Sequence, residues 1–311
     1  MPSFLVTGSS RGLGLAFVTE LLKFPENKVI ATARNTKGAE GLQALASKHS
    51  ADQLVLLDLD ITSQESIDRA AAEAARILPD GLDHLIGNAG VNEQALVSFE
   101  DLDLSIFQDE LNFNLISTIR LYRAFLPLIR KSTAKKIVQV TSVLGSIELA
   151  AGSPGLANGY SVAKAALNML VRKWGPSLKA EGITTILIHP GWVGQTEIGD
   201  SIAPYIHKYS PGLPNIPQEE SAAGVIKVVK EATIEDTGAF FNYDGMAHSG
   251  PLKVSTSRYA PAAALSASGL GQPYPPLEHD WSPAILENNT RIARSTVADR
   301  DCQTIWLVMG C

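Results

Sequence analysis

Hydrophobic and polar positions alternate between two kinds of segment over most of this chain. Short, nearly continuous apolar runs occur at Phe4–Val6, Val29–Ala33, Leu54–Leu57, Leu85–Gly87, Ile137–Thr141, Ile183–Ile188 and Ala239–Asn242. Between them lie longer amphipathic stretches: Leu13–Leu22, Gly38–Lys48, Gln64–Ile77, a long one around Leu104–Lys131, Ser161–Lys179 and Glu219–Glu231. A run that is apolar throughout suits a strand covered on both faces. Apolar positions three and four apart put one stripe of a helix on a core. The alternation predicts an α/β fold, a doubly wound, mostly parallel seven-stranded sheet with its ligand crevice beyond the carboxyl ends of the strands.

No two helix–strand units repeat one another, so residues 1–249 read as a single domain. From Gly250 onward the periodicity fades, and Pro261, Pro273, Pro275, Pro276 and Pro283 punctuate a stretch rich in Ala, Ser and Gly. Residues 250–311 are expected to form an irregular or disordered C-terminal extension. Within it only Glu287–Arg300, patterned for a short polar helix, and the apolar run Ile305–Met309 stand out.

Composition narrows the function classes. The 311 residues are 45% hydrophobic and 19% charged, with a net charge of −6 and no basic stretch longer than Lys135-Lys136. That balance argues against a phosphate-neutralising nucleic-acid surface. No apolar run reaches the roughly 18 residues a membrane span needs. The chain enters its first strand within a few residues, so cleaving a signal would destroy the first loop; a cytoplasmic protein is expected. Cys302 and Cys311 are the only cysteines and cannot staple the body of the fold. His49, His84, His189, His207, His248 and His279 show no ligand spacing, so no metal site is expected; His189 reads as a partly buried structural histidine.

Two segments carry candidate chemistry. Thr7-Gly-Ser-Ser-Arg-Gly-Leu-Gly14 lies between the first strand and the first helix, the context a phosphate-binding loop requires. Gly8, Gly12 and Gly14 would bring bare N–H groups and a positive helix end against a pyrophosphate. Further on, Tyr160-Ser-Val-Ala-Lys164 puts a phenol and an ammonium on one helical face. A nearby cation favours the phenolate, so Lys164 is expected to lower the pKa of Tyr160 toward a useful acid/base range. A dinucleotide loop with a proton donor beside it points to hydride transfer.

With Asp60-Ile-Thr62, Asn88-Ala-Gly90, Asn114, Ser142 and Pro190-Gly191 added in order, residues 3–246 resemble a short-chain dehydrogenase/reductase. Within that superfamily the chain is similar to fungal carbonyl reductases of the sniffer and C-factor type, built on the Rossmann fold. The resemblance implies that Tyr160 is the general acid toward a carbonyl oxygen, that Lys164 also bonds the nicotinamide ribose, and that Ser142 orients the substrate oxygen, with Ser146 the rival. Asn114 resembles the residue that holds a relay water, or else bends its helix. Ser10, Arg11 and Leu13 fall in the cofactor loop. Asn88, Ala89 and Gly90 would lie beside the adenosine ribose. Asp60 would accept from the adenine amino group, unless it caps the next helix, and Ile61 would lie against the ring. Pro190, Gly191 and Val193 would close over the nicotinamide. Thr196 would follow, one residue later than the family spacing.

From Asn27 to Ala39 there is no Asp or Glu to repel a 2′-phosphate, while Arg34 ends the second strand and Arg11 lies in the glycine loop. NADPH is the expected cofactor, unless both arginines are only solvated surface charges. Specificity is assigned to Val143–Gly159 and to the loop and helix between Gly194 and Pro217, whose apolar and aromatic residues suit a ketone, aldehyde or quinone. The Ala/Leu-rich face of Ser161–Leu178 serves either a homodimer or the core of one subunit. The competing function is a dinucleotide-binding sensor without turnover. A tail that recruits a partner is a further alternative.

Overall fold

The structure, a computed structural model, describes residues 1–247. The expected extension at 250–311, the boundary before it and both cysteines lie outside the described residues. Seven strands form one sheet: β1 (Ser3–Val6), β2 (Lys28–Ala33), β3 (Leu54–Asp58), β4 (His84–Gly87), β5 (Lys136–Val140), β6 (Thr184–His189) and β7 (Phe240–Asn242). Their order is β3-β2-β1-β4-β5-β6-β7, and every pairing is parallel. The chain winds outward from β1 to β3, then restarts at β4 on the other side of β1. That reversal opens a crevice above the carboxyl ends of β1 and β4.

The helices are α1 (Gly12–Leu22), α2 (Glu40–Ala46), α3 (Gln64–Ile77), α4 (Leu104–Leu111), α5 (Ser117–Lys131), α6 (Ile147–Ala150), α7 (Asn158–Ala180), α8 (Glu197–Ser201), α9 (Ala203–Tyr209) and α10 (Gln218–Glu231). Successive strand residues point to opposite faces of the sheet. Phe4 and Val6 therefore join Phe17 and Leu21 of α1 and Val225 and Val229 of α10, whereas Leu5 joins Ile67 of α3 and Leu121 and Phe125 of α5. A third, smaller apolar cluster gathers Ala95, Leu156, Ala157, Tyr160, Ile202 and Ile206 beside the crevice rather than under it.

Three departures from the sequence pattern matter for the site. The long amphipathic stretch is not one helix: α4 gives way to a π-helical turn at Asn112–Ile116 before α5 begins. There the Asn114 carboxamide bonds both backbone groups of Val91 and the Glu110 carbonyl, while the Thr118 hydroxyl donates to the Asn114 carbonyl at 3.0 Å. Side-chain bonds of this kind compete with the α-helical ladder and widen a turn. Second, α7 starts at Asn158 instead of Ser161. Ala157 takes a left-handed φ of 49° and donates its N–H to the Ala95 carbonyl at 2.8 Å, so Tyr160 falls in the helix's first turn. Third, the segment after β6 folds into α8 and α9, each too short to show a period.

Candidate active site

The crevice is built from its backbone upward. β1 runs into the glycine loop, where Gly8 (φ 67°) and Gly12 (φ 56°) occupy the left-handed region that disfavours other side chains. Gly14 is required for space: a Cβ there would overlap the Gly8 carbonyl oxygen. The segment after β4 clamps this loop. The Asn88 carboxamide donates to the Thr7 carbonyl at 2.9 Å, and the Thr7 hydroxyl accepts from Asn88 and Ala89 N–H at 3.0 and 3.1 Å. The result is a rigid, side-chain-free cradle at a helix N-terminus, which fits a pyrophosphate.

A cleft of about 710 Å³ lies above this cradle. Gly8, Ser10, Arg11, Gly12, Leu13, Gly14, Arg34, Asp60, Ile61, Asn88, Ala89, Gly90, Ser142, Tyr160, Lys164, Pro190, Gly191, Val193 and Thr196 all line it. Asn114 does not. Its side chain is buried behind Gly90, where a Cβ would meet Asn114 Oδ1 at 3.3 Å and Lys164 Nζ at 3.7 Å. Asp60 lines the cleft and accepts from the Thr62 N–H at 2.9 Å; the cap of α3 is Ser63 rather than Asp60. Thr196 reaches the glycine loop despite the extra residue before it, because Gln195 absorbs that residue in a left-handed turn (φ 59°). A Cβ on Gly12 would lie 3.6 Å from Thr196 Cγ2. His189 is half-buried in the cleft wall.

Ser142 caps the short turn after β5: its Oγ accepts from the Leu144 N–H at 3.1 Å, and its hydroxyl interacts with that of Tyr160. Ser146 lies one turn on, accepting from the Leu149 N–H at 3.4 Å to cap α6, and is not among the residues lining the cleft. Lys164 Nζ donates to the Val140 carbonyl at 3.1 Å and lies 5.3 Å from the centre of the Tyr160 ring. The expected lowering of the Tyr160 pKa is reversed here. Burial pushes the phenol up, with the hydrogen bond from Ser142 pulling the other way, so Tyr160 holds its proton. Burial also pushes Lys164 down to about 8, which weakens the cation meant to act on the phenol.

The two arginines differ. Arg34 lies exposed at the cleft's edge beyond β2, whereas the Arg11 guanidinium pairs with the Glu197 carboxylate of α8. Glu197 is a lining residue that sequence reasoning missed, because its partner is distant in the chain. The same holds for the apolar walls Leu144, Trp192, Ile198, Ile202, Ile206 and Leu213, which were legible only as segments. Trp192 fastens this wall by donating its indole N–H to the Gly199 carbonyl at 3.0 Å. Among the described residues no group of His, Cys, Asp and Glu could hold a metal ion, and no helix is long and apolar enough to cross a membrane.

The short chain dehydrogenase family profile matches residues 3–205. The chain belongs to that family. This dehydrogenase is 33% identical over 270 residues to the short-chain dehydrogenase/reductase AacuF of Aspergillus aculeatus, covering 79% of this chain and 98% of that one. It is 32% identical over 251 residues to an uncharacterised oxidoreductase of Schizosaccharomyces pombe, covering 78% of this chain and 95% of the relative. Among solved structures it resembles the NADPH-bound carbonyl reductase from chicken fatty liver, with a TM-score of 0.69 and 34% identity over 79% of this chain and 98% of that one. The carbonyl reductase Sniffer of D. melanogaster gives the same TM-score of 0.69 at 28% identity, over 79% of this chain and 98% of that one. The chain is an oxidoreductase of a family that binds a nicotinamide dinucleotide, and its glycine cradle and paired hydroxyls fit that group.

Proposed function

We propose that this dehydrogenase reduces a ketone, aldehyde or quinone to its alcohol with NADPH, using Tyr160 as general acid. The observation that carries this reading is the Ser142–Tyr160 hydroxyl pair, held in the same cleft as the glycine cradle. When bound, the cofactor supplies the hydride. The chain does the rest. Ser142 and Tyr160 offer two O–H donors to the oxygen of a carbonyl as negative charge grows on it, and Tyr160 gives up its proton. Tyr160 carries its proton in the free enzyme, and because burial makes it a weaker acid, the interactions with Ser142 and Lys164 must favour the phenolate as the proton leaves.

Lys164 is placed to stabilise the phenolate left behind and to hold a ribose hydroxyl. Asn114 fixes Val91 through bonds of 3.1 and 3.0 Å and lies behind Gly90 on the side of Lys164, where it would hold a relay water. On the cofactor side, Asp60 and Ile61 would meet the adenine, Asn88, Ala89 and Gly90 the ribose, and Pro190, Gly191, Val193 and Thr196 the nicotinamide end. Preference for NADPH rests on Arg34, on the absence of an acidic residue at the end of β2, and on the NADPH named for the chicken structure. The chemistry needs only residues 1–249. A substrate that is an uncharged carbonyl compound suits the apolar walls beside Tyr160.

The test is NADPH oxidation against ketones, aldehydes and quinones, with Tyr160→Phe as control. The Phe variant should bind NADPH with unchanged Kd and lose about 10²–10⁴-fold in kcat. Tight NADPH binding with no carbonyl consumed would favour a sensor instead, and a Phe variant as fast as wild type would remove the acid.

A further inference from the structure

We propose that Glu197 sets how strongly this dehydrogenase prefers NADPH over NADH, by competing with the cofactor's 2′-phosphate for Arg11. The proposal rests on the NADPH reading above. Arg11 is the residue before α1, and its guanidinium is paired with the first carboxylate of α8. Both side chains line the cleft, and both are mostly exposed, at 69% and 75%.

Sheet order puts Arg11 between two possible partners. On one side β2 lies against β1 and leads to Arg34, the edge where a 2′-phosphate is read; on the other, Glu197 follows β6. The glycine loop and the start of α8 approach each other closely enough for Arg11 to span them, as the 3.6 Å approach of a Gly12 Cβ to Thr196 shows. An exposed ion pair of this kind is weak, so the long arginine side chain can exchange partners at small cost. A phosphate offers a guanidinium charge-assisted, bidentate bonds.

The consequence is selective. A cofactor carrying the 2′-phosphate gains Arg11 only by displacing Glu197, whereas NADH makes no claim on Arg11 and leaves the pair intact. Glu197 therefore lowers affinity for NADPH specifically. Neutralising Glu197 also removes a negative charge from the cleft, which helps both cofactors through their common pyrophosphate and NADPH further through its 2′-phosphate. Comparing the ratio of the two affinities with and without Arg11 isolates the competition.

Calorimetric Kd values for NADPH and NADH, measured on wild type, Glu197→Gln, Arg11→Ala and the double variant at low salt, decide it. Glu197→Gln should raise the ratio Kd(NADH)/Kd(NADPH) about 3-fold, the size expected for releasing an exposed ion pair. The same substitution on the Arg11→Ala background should raise the ratio distinctly less, and raising the salt to about 0.5 M should shrink the effect. Equal tightening for both cofactors, or a ratio that rises as far without Arg11, overturns the proposal and makes Glu197 a general charge in the cleft. A wild-type protein with no preference for NADPH overturns the reading beneath it as well. A clear wild-type preference that Glu197→Gln leaves untouched removes only the role of Glu197.

Discussion

Burial of Lys164 has a cost that can be measured. The unfolded chain holds this lysine near its ordinary pKa of about 10.4, whereas the folded chain holds it at about 8, because burial disfavours the ammonium. Between those values the unfolded chain binds more protons, so the stability contributed at this position rises with pH through that window. The penalty of about 3 kcal/mol is complete below pH 8 and relieved by about pH 10.4. Lys164→Met should therefore be more stable than wild type at pH 7, with the gap closing toward pH 10 in urea titrations. A gap that does not change with pH would mean that the ammonium is solvated after all. Keeping a destabilising lysine beneath Tyr160 is the expected mark of a functional position rather than a packing one. The motif spacing singled out both residues; the direction of the phenol's shift was not legible, because burial depends on walls supplied by α8, α9 and the segment around Ala95.

At the scale of elements, the placement of Tyr160 depends on how α4 meets α7. The Glu110 carboxylate is buried, with Oε1 accepting from the Gln94 N–H at 3.3 Å and Oε2 pressed against Gly159, the residue before Tyr160. A Cβ on Gly159 would fall inside that carboxylate. Gly159→Ala should push the start of α7 away from α4, costing about 1–3 kcal/mol in chemical denaturation and lowering kcat more than it changes cofactor Kd. Glu110→Ala makes room, so the double variant should recover part of the loss; strictly additive effects would show that the two residues do not share the space. None of this is visible in the amphipathic pattern, which places α4 and α5 in one helix and starts α7 three residues late. Local side-chain bonds of Asn114, and the left-handed turn at Ala157, override periodicity at those two points.

For the whole molecule, the relatives are matched over 95–98% of their own length by 78–79% of this chain. Ending the chain after residue 249 should therefore leave Tm and NADPH affinity within error and kcat/KM within about 2-fold, as checked by calorimetry and cofactor oxidation. A large loss of activity would give the extension a part in the site. By itself the sequence determined the strand–helix alternation, the sheet's two covered faces, the glycine loop and the Tyr160/Lys164 pair, because each is written in local periodicity or in a spacing that one turn of backbone enforces. The tertiary structure alone decided that Ser142 lines the cleft and Ser146 does not, that Asn114 is buried behind Gly90, and that Arg11 meets Glu197. Each of those outcomes depends on contacts between segments far apart in the chain, fixed by sheet order and by which groups burial leaves able to pair.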